Sequence, residues 1–136
     1  MATVKTLYHG DFRTEAEHLQ SGSKIVTDAP TDNNGKGEAF SPTDLVAASL
    51  GSCMLTIMDM AAQRLGIDLR GTRIETTKVM ASDPRRIAEI IVEFHFPTGE
   101  YSAKDKAILE RAGDTCPVSK SLHPDLKQTI RYYYGD

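Results

Sequence analysis

The segment from Ser41 to Gly66 constrains the fold most, because it has the pattern of one long apolar helix. Ser41 suits the N-cap, Pro42 suits the first helical position, and Asp44 completes a capping box. Gly66 is a typical helix stop. The residues between them are apolar or small on nearly every side of the first turns, so we predict a central, buried helix. Its apolar positions are Leu45, Val46, Leu50, Met54, Ile57, Met58, Ala61 and Leu65.

Strand patterns stand before and after this helix. One or two strands are predicted between residues 4 and 18, and a short one over residues 24–27. Residues 28–37 have the composition of a loop. The predicted elements after the helix are strands over 72–80 and 87–96, a helix over 102–112, a short helix from Cys116 and a strand over 126–134. This order predicts an α+β fold with antiparallel sheets packed around the helix, as a single domain over residues 1–136.

One face of the predicted strand over 87–96 is wholly apolar. Ile90, Val92, Phe94 and Phe96 alternate with other residues along it, and alternate side chains of a strand point to the same face. We therefore predict that these four side chains lie together on one face of the strand.

Charge and hydropathy narrow the classes of partner. The formal net charge is -3 and the basic residues are scattered, which argues against a nucleic-acid partner. No run approaches the roughly 18 apolar residues that a membrane span needs. The first residues lack an apolar signal core, so we expect no membrane association and a cytoplasmic location. Thiols are kept reduced in that compartment.

The two cysteines are the candidate reactive groups. Cys53 lies on the apolar stripe of the long helix, where a thiol is more often an inert core residue. Cys116 precedes Pro117 at a predicted helix start, where free N–H groups would lower the pKa of a thiol; the alternative is a small capping residue. The four histidines form no ligand pair, so neither a metal nor a cofactor is predicted.

Two segments resemble the signatures of the OsmC/Ohr family. The first is Phe40-Ser41-Pro42-Thr43-Asp44-Leu45, followed by Ala48-Ser49-Leu50-Gly51-Ser52-Cys53, and the second is Cys116-Pro117-Val118-Ser119-Lys120-Ser121-Leu122. The order of the predicted elements is similar to the family along the whole chain. The resemblance implies an OsmC-like fold and an intertwined homodimer, with the central helices packed between sheets made from both chains.

The resemblance also implies a chemistry. Family members that are enzymes reduce organic hydroperoxides, so Cys53 would attack the peroxide and Cys116 would then form a disulfide with it. A dithiol reductant, of the lipoyl type in this family, would restore both thiols. Thiolate attack followed by capture of the sulfenic acid agrees with general thiol chemistry.

The chain departs from the peroxidase pattern at the groups that activate the helix cysteine. The enzymes have a glutamate directly after the Ser/Asn-Pro pair, where this chain has Thr43, and they carry an arginine in a Gly-Gly-Arg-type turn that is missing here. The candidate replacements are the cation of Arg13 and the carboxylates of Glu38 and Asp44. Asp44 has an alternative role as a helix cap.

Two other functions stay open at this stage. Met54, Met58 and Met60 could line a dimer-interface pocket for a hydrophobic small molecule, although methionines also fill cores. A dimer whose disulfide changes its surface, and which senses oxidation, is the third possibility.

Overall fold

The computed structural model describes residues 1–135, which form two three-stranded sheets and three α-helices. Along the chain the elements are β1 (Val4–Gly10), β2 (Arg13–His18), β3 (Lys24–Asp28), α1 (Pro42–Arg64), β4 (Arg73–Ala81), β5 (Arg86–Phe96), α2 (Ala103–Gly113), α3 (Pro117–Ser121) and β6 (Lys127–Tyr134). A single turn of 3₁₀ helix, Thr31–Asn33, lies in the loop before α1.

The residues group into two compact units, which are described separately. The N-terminal unit is Met1–Val46, and the C-terminal unit begins at Ala47. The prediction of a single domain over 1–136 stays a prediction.

The N-terminal unit is an antiparallel sheet in the order β1-β2-β3. The hairpin between β1 and β2 turns through Gly10, Asp11 and Phe12, all three of which have positive φ. Glycine adopts this conformation without steric cost, whereas Asp11 and Phe12 do so only because the turn holds them there.

The start of α1 is the capping box that the sequence predicts. The Ser41 N–H donates to Asp44 Oδ2 over 3.0 Å, and the Asp44 N–H donates to Ser41 Oγ over 3.1 Å. These two bonds satisfy N–H groups that the first turn of a helix leaves without partners. The helix ends at Arg64, and Gly66 follows with φ +71°.

The core of the C-terminal unit is α1 against the sheet β4-β5-β6, in which β5 is the central strand. The predicted apolar face of β5 is confirmed, since Ile90, Val92, Phe94 and Phe96 are all buried. Gly51 lets α1 lie close to this sheet, because a Cβ there would stand 2.9 Å from Ile74 Cγ2. At this residue the backbone of α1 therefore packs directly against side chains of the sheet.

The prediction of wholly antiparallel sheets is wrong for one strand pair. β4 pairs antiparallel with β5, but β6 pairs parallel with β5. The reason is the connection: α2 and α3 lie between β5 and β6, and a crossover of that length returns the chain to the starting end of the sheet.

Within one chain, α1 is buried along one face only. Its buried residues are Ala47, Leu50, Gly51, Met54, Met58, Ala61 and Ala62, whereas Val46 and Met60 are exposed. The sheet of the C-terminal unit does not cover the opposite face. Within one chain, α1 is therefore not buried on nearly every side, contrary to the prediction. By length and composition alone, α1 could also cross a membrane. The prediction that no segment is long and apolar enough for this is therefore wrong. Core helices pass that test too, and the buried face of α1 packs in the core of its unit.

Candidate functional site

The structure brings Cys53 and Cys116 together in the C-terminal unit. Cys53 lies on α1 at the edge of its buried face and is half-buried, while Cys116 lies directly before α3 and is completely buried. Both are free thiols, and their sulfur atoms are within hydrogen-bonding reach of each other. Two residues that are far apart in the sequence thus form one dithiol pair.

The surroundings of Cys116 favour its neutral thiol. Burial raises its pKa above the ordinary value, and the hydrogen bond with Cys53 raises it further. The Ser119 N–H donates to Cys116 Sγ over 3.4 Å and lowers the pKa, as does the Val118 N–H. The sequence left two interpretations open, a pKa lowered by the helix start and a small capping residue. Cys116 is the N-cap of α3, which agrees with the second, and its pKa is not lowered because burial outweighs the N–H groups.

The N-terminal unit holds Arg13 in a partly buried ion pair. Arg13 Nε and Nη2 donate to the two carboxylate oxygens of Asp28, each over 2.7 Å, and Asp28 is only 1% exposed. The Glu38 N–H donates to Asp28 Oδ2 over 3.1 Å, and the Glu38 carboxylate lies 3.7 Å from Arg13 Nη2. The hydrogen bonds with Asp28 raise the pKa of Arg13, and those with Arg13 lower the pKa of Asp28.

Of the predicted activating residues, the structure brings Arg13 and Glu38 together and places Asp44 elsewhere, in the cap of α1. Asp28, the principal partner of Arg13, is missing from the sequence predictions, which assigned it to a loop. The signal that could have found it is the register of the hairpin, because Arg13 stands opposite Asp28 when β2 pairs with β3. The catalytic roles of these residues stay predictions.

Two of the three helix methionines serve packing. Met54 and Met58 are buried in the core of the C-terminal unit, which is the alternative that the sequence analysis left open. Met60 is exposed, and with Leu55 and Leu69 it lines a surface cavity of about 500 Å³ whose polar wall includes Asp59 and Arg70. Among residues 1–135, no group of three or more His, Cys, Asp or Glu side chains is arranged to hold a metal ion.

Comparison with known proteins places this arrangement in a family. The family model described as OsmC-like protein matches residues 35–131, which include both cysteines. The chain belongs to the OsmC-like protein family. A solved structure from Psychrobacter arcticus 273-4, described provisionally as an osmotic stress induced and detoxification response protein, is 53% identical. The match covers 98% of this chain and 96% of that one, with a TM-score of 0.93.

More distant OsmC-like structures share the fold. An organic hydroperoxide resistance protein OsmC from Legionella pneumophila is 19% identical, with a TM-score of 0.75 over 96% of this chain and 94% of that one. An OsmC like protein from Mycoplasma pneumoniae is 16% identical, with a TM-score of 0.80 over 98% and 96%. A search of curated proteins found no match.

Proposed function

We propose that the protein is a thiol-dependent peroxidase that reduces organic hydroperoxides with Cys53 and Cys116. The observation that supports this most is the contact between two free thiols in a member of the OsmC-like family. The name of the Legionella pneumophila relative points to the substrate class. The difference in burial supports the proposed roles, in which the half-buried Cys53 meets the peroxide and the buried Cys116 resolves it.

The proposed cycle has three steps. The thiolate of Cys53 attacks one peroxide oxygen, the O–O bond breaks, and the departing alkoxide takes a proton and leaves as an alcohol. The Cys116 sulfur, on losing its proton, attacks the Cys53 sulfenic acid, and hydroxide leaves as water while the disulfide forms. A dithiol reductant of the lipoyl type then exchanges with this disulfide, restores both thiols and itself becomes a cyclic disulfide.

We propose Arg13 as the cation that favours the reactive thiolate, with Glu38 as its carboxylate neighbour. The fixed bidentate geometry with Asp28 supports a defined position for the guanidinium, but Asp28 and Glu38 together outweigh its charge. We therefore expect a smaller rate effect than an unpaired arginine would give. Arg13→Met should slow oxidation of Cys53 several-fold and Arg13→Lys less so, measured as the second-order rate with cumene hydroperoxide. Equal rates in all three proteins would remove Arg13 from the proposal.

The decisive experiment is oxidation of the reduced protein by a stoichiometric amount of cumene hydroperoxide. We expect rapid loss of both thiols and a mass decrease of two hydrogens, which is the signature of one disulfide. Cys53→Ser should leave the peroxide unconsumed. If both thiols of the wild-type protein survive a modest excess of peroxide, the peroxidase proposal fails, although membership of the family stands.

We also propose a homodimer in a reducing compartment such as the cytoplasm. The sheet of the N-terminal unit carries large apolar side chains that are exposed on both of its faces, among them Val4, Leu7 and Tyr8 on β1 and Ile25 on β3. Exposed apolar surface of this kind marks an interface. Sedimentation equilibrium should give twice the chain mass of 14.9 kDa, and Leu7→Asp should shift it toward one chain. A wild-type protein that sediments as one chain would refute the dimer.

The cavity beside Met60 supports a second candidate function, the binding of a hydrophobic small molecule. Its lining combines apolar side chains with the polar groups of Asp59 and Arg70, a common composition for ligand sites. If this is the function, long-chain acyl compounds should raise the melting temperature of a variant that lacks both cysteines. Met60→Glu should abolish that shift, and a shift that persists in Met60→Glu would exclude this cavity.

A further inference from the structure

The resolving cysteine is held by a small network that runs from β6 to the start of α3. Cys116 is the N-cap of α3, and its Sγ accepts a hydrogen bond from the Ser119 N–H. Ser119 is in turn bound to Gln128 at two points. Ser119 Oγ donates to Gln128 Oε1 over 2.6 Å, and Gln128 Nε2 donates to the Ser119 carbonyl oxygen over 3.1 Å. One glutamine side chain therefore uses both ends of its amide on a single residue.

Gln128 itself has a firm base. It lies on β6 opposite Ile90 of β5, and Ile90 is completely buried on the central strand of the sheet. The backbone of a residue on a paired strand, next to a core residue, has little freedom to move. The network thus joins the paired strands β5 and β6 of the C-terminal unit to the turn that carries Cys116.

We propose that Gln128 is a positioning residue for the resolving step, acting through Ser119 to hold the Cys116 sulfur against Cys53. This inference rests on the proposed peroxidase function. Resolution needs the Cys116 sulfur aligned with the Cys53 sulfenic acid, and the thiolate that forms transiently on Cys116 is stabilised by the Ser119 N–H. Without Gln128 the five-residue α3 is tied to the sheet by fewer hydrogen bonds. The Ser119 N–H is then no longer held in line with the Cys116 sulfur.

The consequence is a selective effect on the second step. Oxidation of Cys53 by peroxide does not use Gln128, so its rate should stay within about twofold of wild type. Disulfide formation should slow by about threefold to tenfold, the range that the net loss of one hydrogen bond corresponds to. The Cys53 sulfenic acid then survives long enough for a second peroxide to oxidise it to sulfinic acid.

The test compares Gln128→Met, which keeps the length of the side chain and removes both polar ends, with Lys127→Met as a matched control. Lys127 is the exposed neighbour of Gln128 on the same strand. Reduced proteins are mixed with excess cumene hydroperoxide, quenched at intervals and weighed intact. We expect a gain of two oxygens to accumulate in Gln128→Met and the disulfide to dominate in Lys127→Met and wild type. Should Gln128→Met fail to fold, Ser119→Ala removes one of the two bonds and takes its place.

A second readout does not depend on peroxide. In a Cys53→Ser background, the pH profile of Cys116 alkylation should move to higher pH in Gln128→Met, because the Ser119 N–H no longer favours the thiolate. Diamide-driven disulfide formation in proteins with both cysteines should slow by the same factor as resolution. A merely structural loss in Gln128→Met would lower the melting temperature without moving this profile.

The outcomes separate the two proposals. In the first case, peroxide does not oxidise the thiols of the wild-type protein, but the pH profile of Cys116 alkylation is shifted in Gln128→Met. This result refutes the peroxidase function and retains the positioning role in thiol exchange. Wild-type protein that forms the disulfide, together with a Gln128→Met variant identical to Lys127→Met in sulfinic yield and pH profile, overturns the positioning role alone.

Discussion

Gly51 is the residue that sets how closely α1, and with it Cys53, approaches the sheet, and its replacement by alanine tests that reasoning. A Cβ at Gly51 would lie 2.9 Å from Ile74 Cγ2 and 3.2 Å from Val92 Cγ1. Both atoms belong to β-branched side chains of paired strands, which have one strongly preferred rotamer and little room to turn. To reach ordinary contact distances, α1 would have to move away from the sheet.

The expected magnitude follows from three opposing contributions. Alanine in place of glycine in a helix interior gains about 1 kcal/mol, and one buried methyl group gains up to about 0.8 kcal/mol. Overpacking a core costs about 1–3 kcal/mol, and a contact below 3.0 Å against stiff side chains belongs at the upper end. We therefore expect Gly51→Ala to lower the free energy of unfolding by about 1 kcal/mol, or the melting temperature by about 3 °C.

Gly113→Ala is the matched control, because it places the same methyl group in another helix of the same unit. Its Cβ would lie 3.3 Å from Met58 Cγ and 3.4 Å from Met54 Cε, and flexible methionines can yield by a few tenths of an ångström. Its stability should stay within about 0.5 kcal/mol of wild type. Urea denaturation of the reduced proteins measures both changes. A Gly51→Ala protein as stable as Gly113→Ala would refute the claim that close packing at Gly51 sets the position of α1.

The thiols and the Arg13–Asp28 ion pair lead to three further expectations. Because burial raises the pKa of Cys116, its alkylation in Cys53→Ser should reach half its maximal rate above the ordinary thiol pKa; a midpoint at or below that value would contradict the described burial. Cys116→Ser should let excess peroxide convert Cys53 to sulfinic acid, which intact mass detects, and a stable sulfenic acid would argue against Cys116 as its protector. Arg13 lowers the pKa of Asp28 in the folded protein, so the ion pair stabilises the fold fully at pH values above the unfolded Asp pKa of about 4. This stabilisation is lost as the pH falls through the lowered pKa that Asp28 has in the folded protein. The urea-midpoint difference between wild type and Asp28→Asn should therefore shrink from about pH 7 to about pH 3, and a constant difference would contradict it.

Features that depend on local sequence were predictable. The capping box of Ser41 and Asp44, the stop near Gly66 and the apolar face of β5 all arise from neighbouring residues, and each is confirmed. The same holds for α2, whose cap is Ser102 as predicted. Local patterns carry this information because side-chain spacing and capping act within one turn of helix or a few residues of strand.

Features that depend on the pairing of distant segments could not be predicted from the sequence. The parallel partnership of β5 and β6 follows from the path of α2 and α3, which composition does not show. The burial of Asp28 follows from the register of β2 against β3, so a residue with loop composition became the partner of Arg13. The clamp between Gln128 and Ser119 also joins two elements. Nothing in the sequence around Gln128 marks it as different from a surface residue of a strand.

The raised pKa of Cys116 fits the role of a resolving thiol better than that of a first nucleophile. A cysteine that is neutral at rest does not compete with Cys53 for peroxide, and it can donate its S–H toward the Cys53 sulfur. In the proposed cycle Cys116 loses its proton only after the sulfenic acid has formed, and the N–H groups of Ser119 and Val118 then favour the thiolate. Burial and the N–H groups act on the same sulfur in opposite directions. In the proposed cycle, burial keeps Cys116 reduced in the first step and the N–H groups assist its attack in the second.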